Sequence, residues 1–192
     1  MQSTYIVLAN PLENSWDFAN KIFQGLSDKN NGRYELGEIE IKEFRDGEFK
    51  PRIKTSVRGK KCFYIHDSSL SPAMWLSQLT FTTQALRKSS CAESIAVLPY
   101  FRFARQDRKD EPRTSISAAA VANIVDRYAN GVLTVDIHNP AIDGFFDTRF
   151  DNLQSFNTVV AYLKENNPSI ISENLVVMSP DAGGAARAAA FA

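Results

Sequence analysis

Two rhythms of apolar and polar positions run through the chain. Short apolar runs at Tyr5 to Ala9, Cys62 to Ile65, Ile95 to Leu98, Gly131 to Ile137 and Leu175 to Met178 have the length of buried strands. Between them lie segments with helical spacing. Ser15 to Leu26 carries Trp16, Phe18, Ala19, Ile22, Phe23 and Leu26, with Gly25, Asn30, Asn31 and Gly32 as breakers near its end. A second helix opens at Ser71-Pro72, where proline suits the first turn, and turns Trp75, Leu76, Leu79, Thr80, Thr83 and Leu86 inward. Ala118 to Tyr128, starting near Ser115 or Ser117, and Gln154 to Glu165 read as two more helices, and Gly144-Phe145-Phe146-Asp147 between them as a loop with exposed aromatics. Glu35 to Phe44 mixes Leu36, Ile39, Ile41 and Phe44 with charges, turns at Asp46-Gly47 and returns over Glu48 to Ile53, as a charged, projecting hairpin would. Repeated strand-then-helix order predicts an α/β fold with a doubly wound, mostly parallel sheet.

Composition narrows the function. An apolar share of 44% with 23% charged is enough for a sizeable core. The 22 basic residues balance 22 acidic ones, so no global field draws the chain to nucleic acid or membrane. Cys62 and Cys91 lie in or beside apolar runs without the spacing of a redox pair, and read as buried thiols. No apolar segment approaches a membrane span, and the N-terminus lacks a basic region followed by an apolar one, so cytoplasmic residence is expected. The chain stops in an Ala-rich segment without a closing glycine, which reads as a truncated fragment.

Candidate chemistry gathers where strands end, the place at which open α/β sheets bind ligands. After Pro99, the loop Tyr100 to Asp110 crowds Arg105, Arg108 and Lys109 with Asp107 and Asp110, and Arg113 follows. Such cations suit phosphates, and a guanidinium can stack on an adenine ring; a solvated loop with internal ion pairs has the same composition. Asp136-Ile137-His138 closes another strand, and period-2 geometry puts Asp136 and His138 on one side, where they can share a divalent cation. A lone histidine at a strand end is more often structural, and His66 is read so. Ser179-Pro180-Asp181-Ala182-Gly183-Gly184 follows the last strand. Asp181 is an oxygen donor of the kind Mg²⁺ takes beside phosphates and water, and the glycines let backbone approach an anion.

Taken in order, Arg105-Gln106-Asp107-Arg108-Lys109-Asp110 with Pro99-Tyr100-Phe101 before it, Asp136-Ile137-His138, Gly144-Phe145-Phe146-Asp147, Asp151-Asn152-Leu153 and Ser179 to Gly184 resemble the ribose-phosphate pyrophosphokinases, or phosphoribosyl pyrophosphate synthetases. Phe44-Arg45-Asp46-Gly47-Glu48 and Ser56-Val57-Arg58-Gly59 fit the same pattern. The resemblance implies transfer of the β,γ-diphosphate of Mg-ATP to the anomeric hydroxyl of ribose 5-phosphate, giving AMP and phosphoribosyl pyrophosphate. It implies that Arg105 stacks on adenine, that Gln106 and Asp110 help hold the nucleotide, and that Phe44, Asp46 and Glu48 close over it from a neighbouring subunit. His138 and Asp181 would hold Mg²⁺, and Ser56 and Arg58 match a regulatory anion region. The implied architecture is phosphoribosyltransferase-like: 1–152 as an ATP-binding and oligomerisation domain, and 153–192 as the start of a second, similar domain. The assembly would be a homo-oligomer of dimer units, often hexameric in the family.

The match has departures. Nothing corresponds to the family's Asp/Thr/Gly-rich acceptor loop or its mobile Lys/Arg loop, so no catalytic residue is assigned and the isolated chain is expected to be inactive. Pro112 stands where serine is frequent and Asp143 where glutamine is, and Asp143 would repel an anion. The final segment reads Ala185-Ala186-Arg187, where many members carry lysine in the middle. Three other readings are a noncatalytic, synthetase-associated regulatory subunit of the same fold, an unrelated nucleotide-binding α/β module, and a type I phosphoribosyltransferase, whose diagnostic loop is not visible.

Overall fold

The computed structural model describes residues 5–27, 33–167, 169, 176–185 and 188–189. The chain divides into two compact units, Met1–Leu153 and Gln154–Ala192.

In the first unit, β1 (Tyr5–Ala9), α1 (Ser15–Ser27), β2 (Tyr34–Glu43), β3 (Phe49–Ile53), β4 (Lys61–Ile65), α2 (Pro72–Lys88), β5 (Glu93–Leu98), α3 (Ser117–Asp126), β6 (Gly131–Val135), a 3-10 helix (Pro140–Phe145) and β7 (Arg149–Leu153) follow one another. The seven strands form one sheet in the order β3-β2-β1-β4-β5-β6-β7. Pairing is parallel except for the β2–β3 hairpin. Strands parallel on both sides need cover on both faces, and their alternation supplies two cores. Ile6, Leu8, Cys62, Tyr64, Ala96, Leu98 and Val132 face Trp75, Leu79 and Leu86 of α2 and Val121 and Val125 of α3. Val7, Ala9, Ile65, Ile95 and Val97 face Ala19 of α1, with Trp16 and Ile22 beside it.

The hairpin departs from the sheet. Residues Tyr34 to Glu38 of β2 pair with β1, whereas Ile39 to Glu43 pair only with β3. The second half therefore runs beyond the end of β1 by about 17 Å at strand rise. Gly47 occupies the tip with φ 85°, a value a side chain would resist.

Several expectations need correction. β7 went unrecognised, because Arg149-Phe150-Asp151-Asn152-Leu153 lacks a clean apolar alternation. Phe145 and Phe146 are half-buried, not exposed. Phe146 stacks on Phe150 with centroids 4.7 Å apart and meets Phe101 edge-on at 5.8 Å. β6 ends at Val135, two residues short of the expected Ile137.

In the second unit, α4 (Phe156–Asn166) is followed by Val176 to Ser179 without regular structure, so the expected strand is not formed at 176–178. Leu175 lies outside the described residues, as do Asn30, Asn31, Gly32, Ala186 and Arg187. A 3-10 turn, Ala182–Gly184, leads to helical Ala185, Ala188 and Ala189.

Candidate functional site

The doubly wound order reverses between β1 and β4, where such sheets usually leave a ligand crevice. Here a pocket lined by Asn14, Ser15, Phe18, Asp67, Ser69 and Pro99 opens at that position, and Asp67 ties its walls together. The Asp67 carboxylate accepts from the Ser15 amide at the start of α1 (3.3 Å) and from the Ser69 amide and hydroxyl (2.7 and 2.6 Å). Burial opposes its charge, but these donors and the Asn14 amide hold its carboxyl below the usual range. Beside it, His66 is 1% exposed. Its Nε2 lies 2.8 Å from the Trp75 carbonyl, which can only accept, so Nε2 carries the proton and the Tyr64 hydroxyl donates to Nδ1 at 2.7 Å. Burial, against the opposing Trp75 carbonyl, lowers its pKa to about 4. His66 is a neutral structural residue, as its sequence context predicts. The sequence reading did not single out Asp67; its only signal was a carboxylate directly after a buried strand-end histidine.

The exposed cations stand farther along the same edge, after β5. Arg105, Gln106, Arg108, Lys109, Asp110 and Arg113 are all exposed. Among the described residues, no carboxylate lies within ion-pair distance of these cations. The loop is therefore not a self-neutralised surface turn. It is anchored instead by Arg102, whose guanidinium donates to the Ser68 carbonyl at 2.9 Å, and by the Tyr100 amide, which donates to Ser68 Oγ at 3.2 Å. Phe101 is buried beneath it.

His138 is exposed on the adjacent loop after β6, because β5 and β6 are paired neighbours. Asp136 has φ 46°, so the backbone turns out of extended geometry there, and the shared side inferred from strand alternation does not apply. Phe103 (φ 66°) and Arg113 (φ 67°) are also left-handed. Three of the four described non-glycine residues with positive φ thus lie in these two loops. Strain gathered at the carboxyl ends of two strands is a mark of function. Across the loops, Asn139 Nδ2 donates to Asp107 Oδ2 at 2.6 Å. Neither residue of this pair was given a role from sequence.

Other expected residues stand apart. Phe44, Asp46 and Glu48 are exposed at the hairpin tip. β2, β1 and β4 separate β3 from β5, about 19 Å at ordinary strand spacing. Ser56 and Arg58 are exposed around buried Val57 in the β3–β4 turn. In the second unit, exposed Asp181 accepts from the Gly184 amide at 2.8 Å and so shapes its own turn. A Cβ at Gly184 would meet Ser179 Oγ, which would have to turn away to admit it. No three His, Cys, Asp or Glu side chains cluster as a metal site among the described residues.

Comparison with known proteins gives this geometry a family. Residues 10–128 match the model of the N-terminal domain of ribose phosphate pyrophosphokinase. The chain belongs to the ribose-phosphate pyrophosphokinase family. It is 40% identical over 154 residues to a ribose-phosphate pyrophosphokinase of Aquifex aeolicus, covering 80% of this chain and 49% of the relative. It is also 40% identical over 192 residues to the chloroplastic ribose-phosphate pyrophosphokinase 2 of Spinacia oleracea, covering 94% and 48%. In structure it is similar to phosphoribosylpyrophosphate synthetase from Mycobacterium smegmatis, with a TM-score of 0.84, 28% identity, and coverage of 98% of this chain and 60% of that one. The chain spans about half the length of the curated pyrophosphokinases it matches. Its mostly parallel sheet is the phosphoribosyltransferase-like architecture of this family. Among the described residues, no helix is long and apolar enough to cross a membrane.

Proposed function

We propose that this chain supplies the nucleotide-holding part of a ribose-phosphate pyrophosphokinase, which moves the β,γ-diphosphate of Mg-ATP onto the C1 hydroxyl of ribose 5-phosphate and releases AMP. The observation that carries the reading is the exposed loop after β5, whose cations have no carboxylate partner among the described residues and which lies next to the His138 loop. Arg105 stacks on adenine, and Gln106 and Asp110 contact the nucleotide. His138 and Asp181 contact the magnesium of the incoming Mg-ATP. One imidazole and one carboxylate suit an ion that keeps most of its shell as water and phosphate oxygens. The protein's part is to orient the triphosphate and spread cationic charge around it as the bridging bond breaks.

The hairpin tip with Phe44, Asp46 and Glu48 serves the site of a partner copy, which makes a homo-oligomer of at least dimer units. Residues 1–152 form the ATP-binding and oligomerisation domain, and 153–192 begin the second, phosphoribosyltransferase-like domain. Ser56 and Arg58 form part of a regulatory anion site. The 192-residue chain binds Mg-ATP but gives no turnover without the part of the relatives that it does not span.

Calorimetric titration with Mg-ATP tests the reading. Arg105→Ala should weaken binding about tenfold, the scale of a lost cation–π contact in a desolvated site. His138→Ala should weaken Mg-ATP binding while leaving magnesium-free ATP binding nearly unchanged. Equal affinity in all three proteins would reject the site, and phosphoribosyl pyrophosphate made by the isolated chain would reject its dependence on further sequence.

A further inference from the structure

We propose that Asn139 and Asp107 are positioning residues, whose side-chain hydrogen bond fixes the loop bearing Arg105 against the turn bearing His138. The inference deepens the nucleotide-site reading and rests on it. Asp107 lies two residues beyond Arg105, and Asn139 directly follows His138. Asn139 is held at both ends of its amide. Its Oδ1 accepts from the Ala141 amide at 3.0 Å and caps the 3-10 helix, while its Nδ2 donates to Asp107 Oδ2 at 2.6 Å across 32 residues of sequence. The acceptor is a carboxylate, so the bond is of the stronger, charge-assisted kind. Both residues are half-buried, which limits competition from water.

The two loops need such a link. Asp136 turns left-handed directly after β6, and Phe103 does so five residues beyond the end of β5, so strand pairing stops before the tips. Their bases are joined by the edge-on rings of Phe101 and Phe146 at 5.8 Å, an apolar contact that sets depth without fixing orientation. The amide–carboxylate bond adds a directional constraint near the tips. A ligand touched by both Arg105 and His138 gains from a spacing fixed before it arrives, because ordering cost is then not charged against binding.

Asn139→Ser separates the two tasks of the amide. Serine can still cap the Ala141 amide, but is too short to reach Asp107. Asp107→Ala removes the other end of the link. Two readings are taken on the 192-residue chain: Mg-ATP affinity by calorimetry, and ligand-free hydrogen exchange of the backbone amides from Arg105 to Asp110. Each single variant is expected to bind about tenfold more weakly and to exchange faster. The double variant should be no worse than either single, since both break one bond. Affinities within about twofold of the unmodified chain, or losses that multiply in the double variant, would overturn the link. If the unmodified chain binds no Mg-ATP, the nucleotide reading falls, and exchange alone decides the link: faster exchange in both variants supports it and unchanged exchange overturns it.

Discussion

At the scale of single residues, burial decides what a titratable side chain can do. His66 and His138 both follow strands, yet one is sealed against Trp75 and Tyr64 while the other is open to solvent. Burial depresses the pKa of His66 from 6.5 to about 4, so the folded chain holds fewer protons than the unfolded chain between those values. Stability from neutral His66 is therefore complete above pH 6.5 and is lost as pH falls toward 4, by about 3 kcal/mol in order of magnitude. Urea unfolding at pH 7 and pH 4.5 measures this. His66→Gln should be less stable than the parent at pH 7 but lose less between the two values.

At the scale of elements, two pieces carry different burdens. α2 is a structural element. Trp75 is fully buried and packs its ring 5.2 Å from His66 and 6.1 Å from Phe101, which underlies the β5 loop. Trp75→Ala should cost about 3–5 kcal/mol in urea unfolding and loosen the Arg105 loop through Phe101. The β2–β3 hairpin is the opposite case, since all five residues from Phe44 to Glu48 are exposed. Phe44→Ala combined with Glu48→Ala should change unfolding free energy by no more than about 0.5 kcal/mol per substitution. The same pair should weaken Mg-ATP binding in assembled protein. A large stability loss would mean that the tip packs within its own chain.

The whole molecule explains that division of labour. Asp67 ties together the walls of the crevice where the sheet order reverses, and the exposed cations lie farther along the edge, two strands beyond β1. The hairpin lies toward the opposite edge, so one chain does not bring its own tip to its own Arg105. An assembly in which each site takes a loop from one copy and a hairpin from another makes a complementation test decisive. Chains carrying Arg105→Ala and chains carrying the Phe44/Glu48 double substitution should each bind Mg-ATP weakly. Reassociated in equal amounts, they should regain parent-like affinity at about a quarter of sites, the random share with both parts intact. No recovery would argue that each site is built within one chain.

The hydrophobic pattern by itself determined the alternating α/β order, the parallel sheet, the two-sided core and the position of the hairpin, because burial imposes a period of 2 on strands and 3.6 on helices and both can be counted in one dimension. It also located the cation-rich loop and kept His66 structural. It missed β7, where half-exposed residues weaken the alternation, and it misjudged Phe145, which packs against the core, and Phe146, which is covered once Phe101 and Phe150 arrive from elsewhere in the chain. Tertiary structure alone decided that Asp136 leaves strand geometry, that Asp67 ties Ser15 to its own loop at the reversal crevice and that Asn139 meets Asp107 across 32 residues. Such pairings depend on where separate loops end in space, and local periodicity carries no record of a distance between segments remote in sequence.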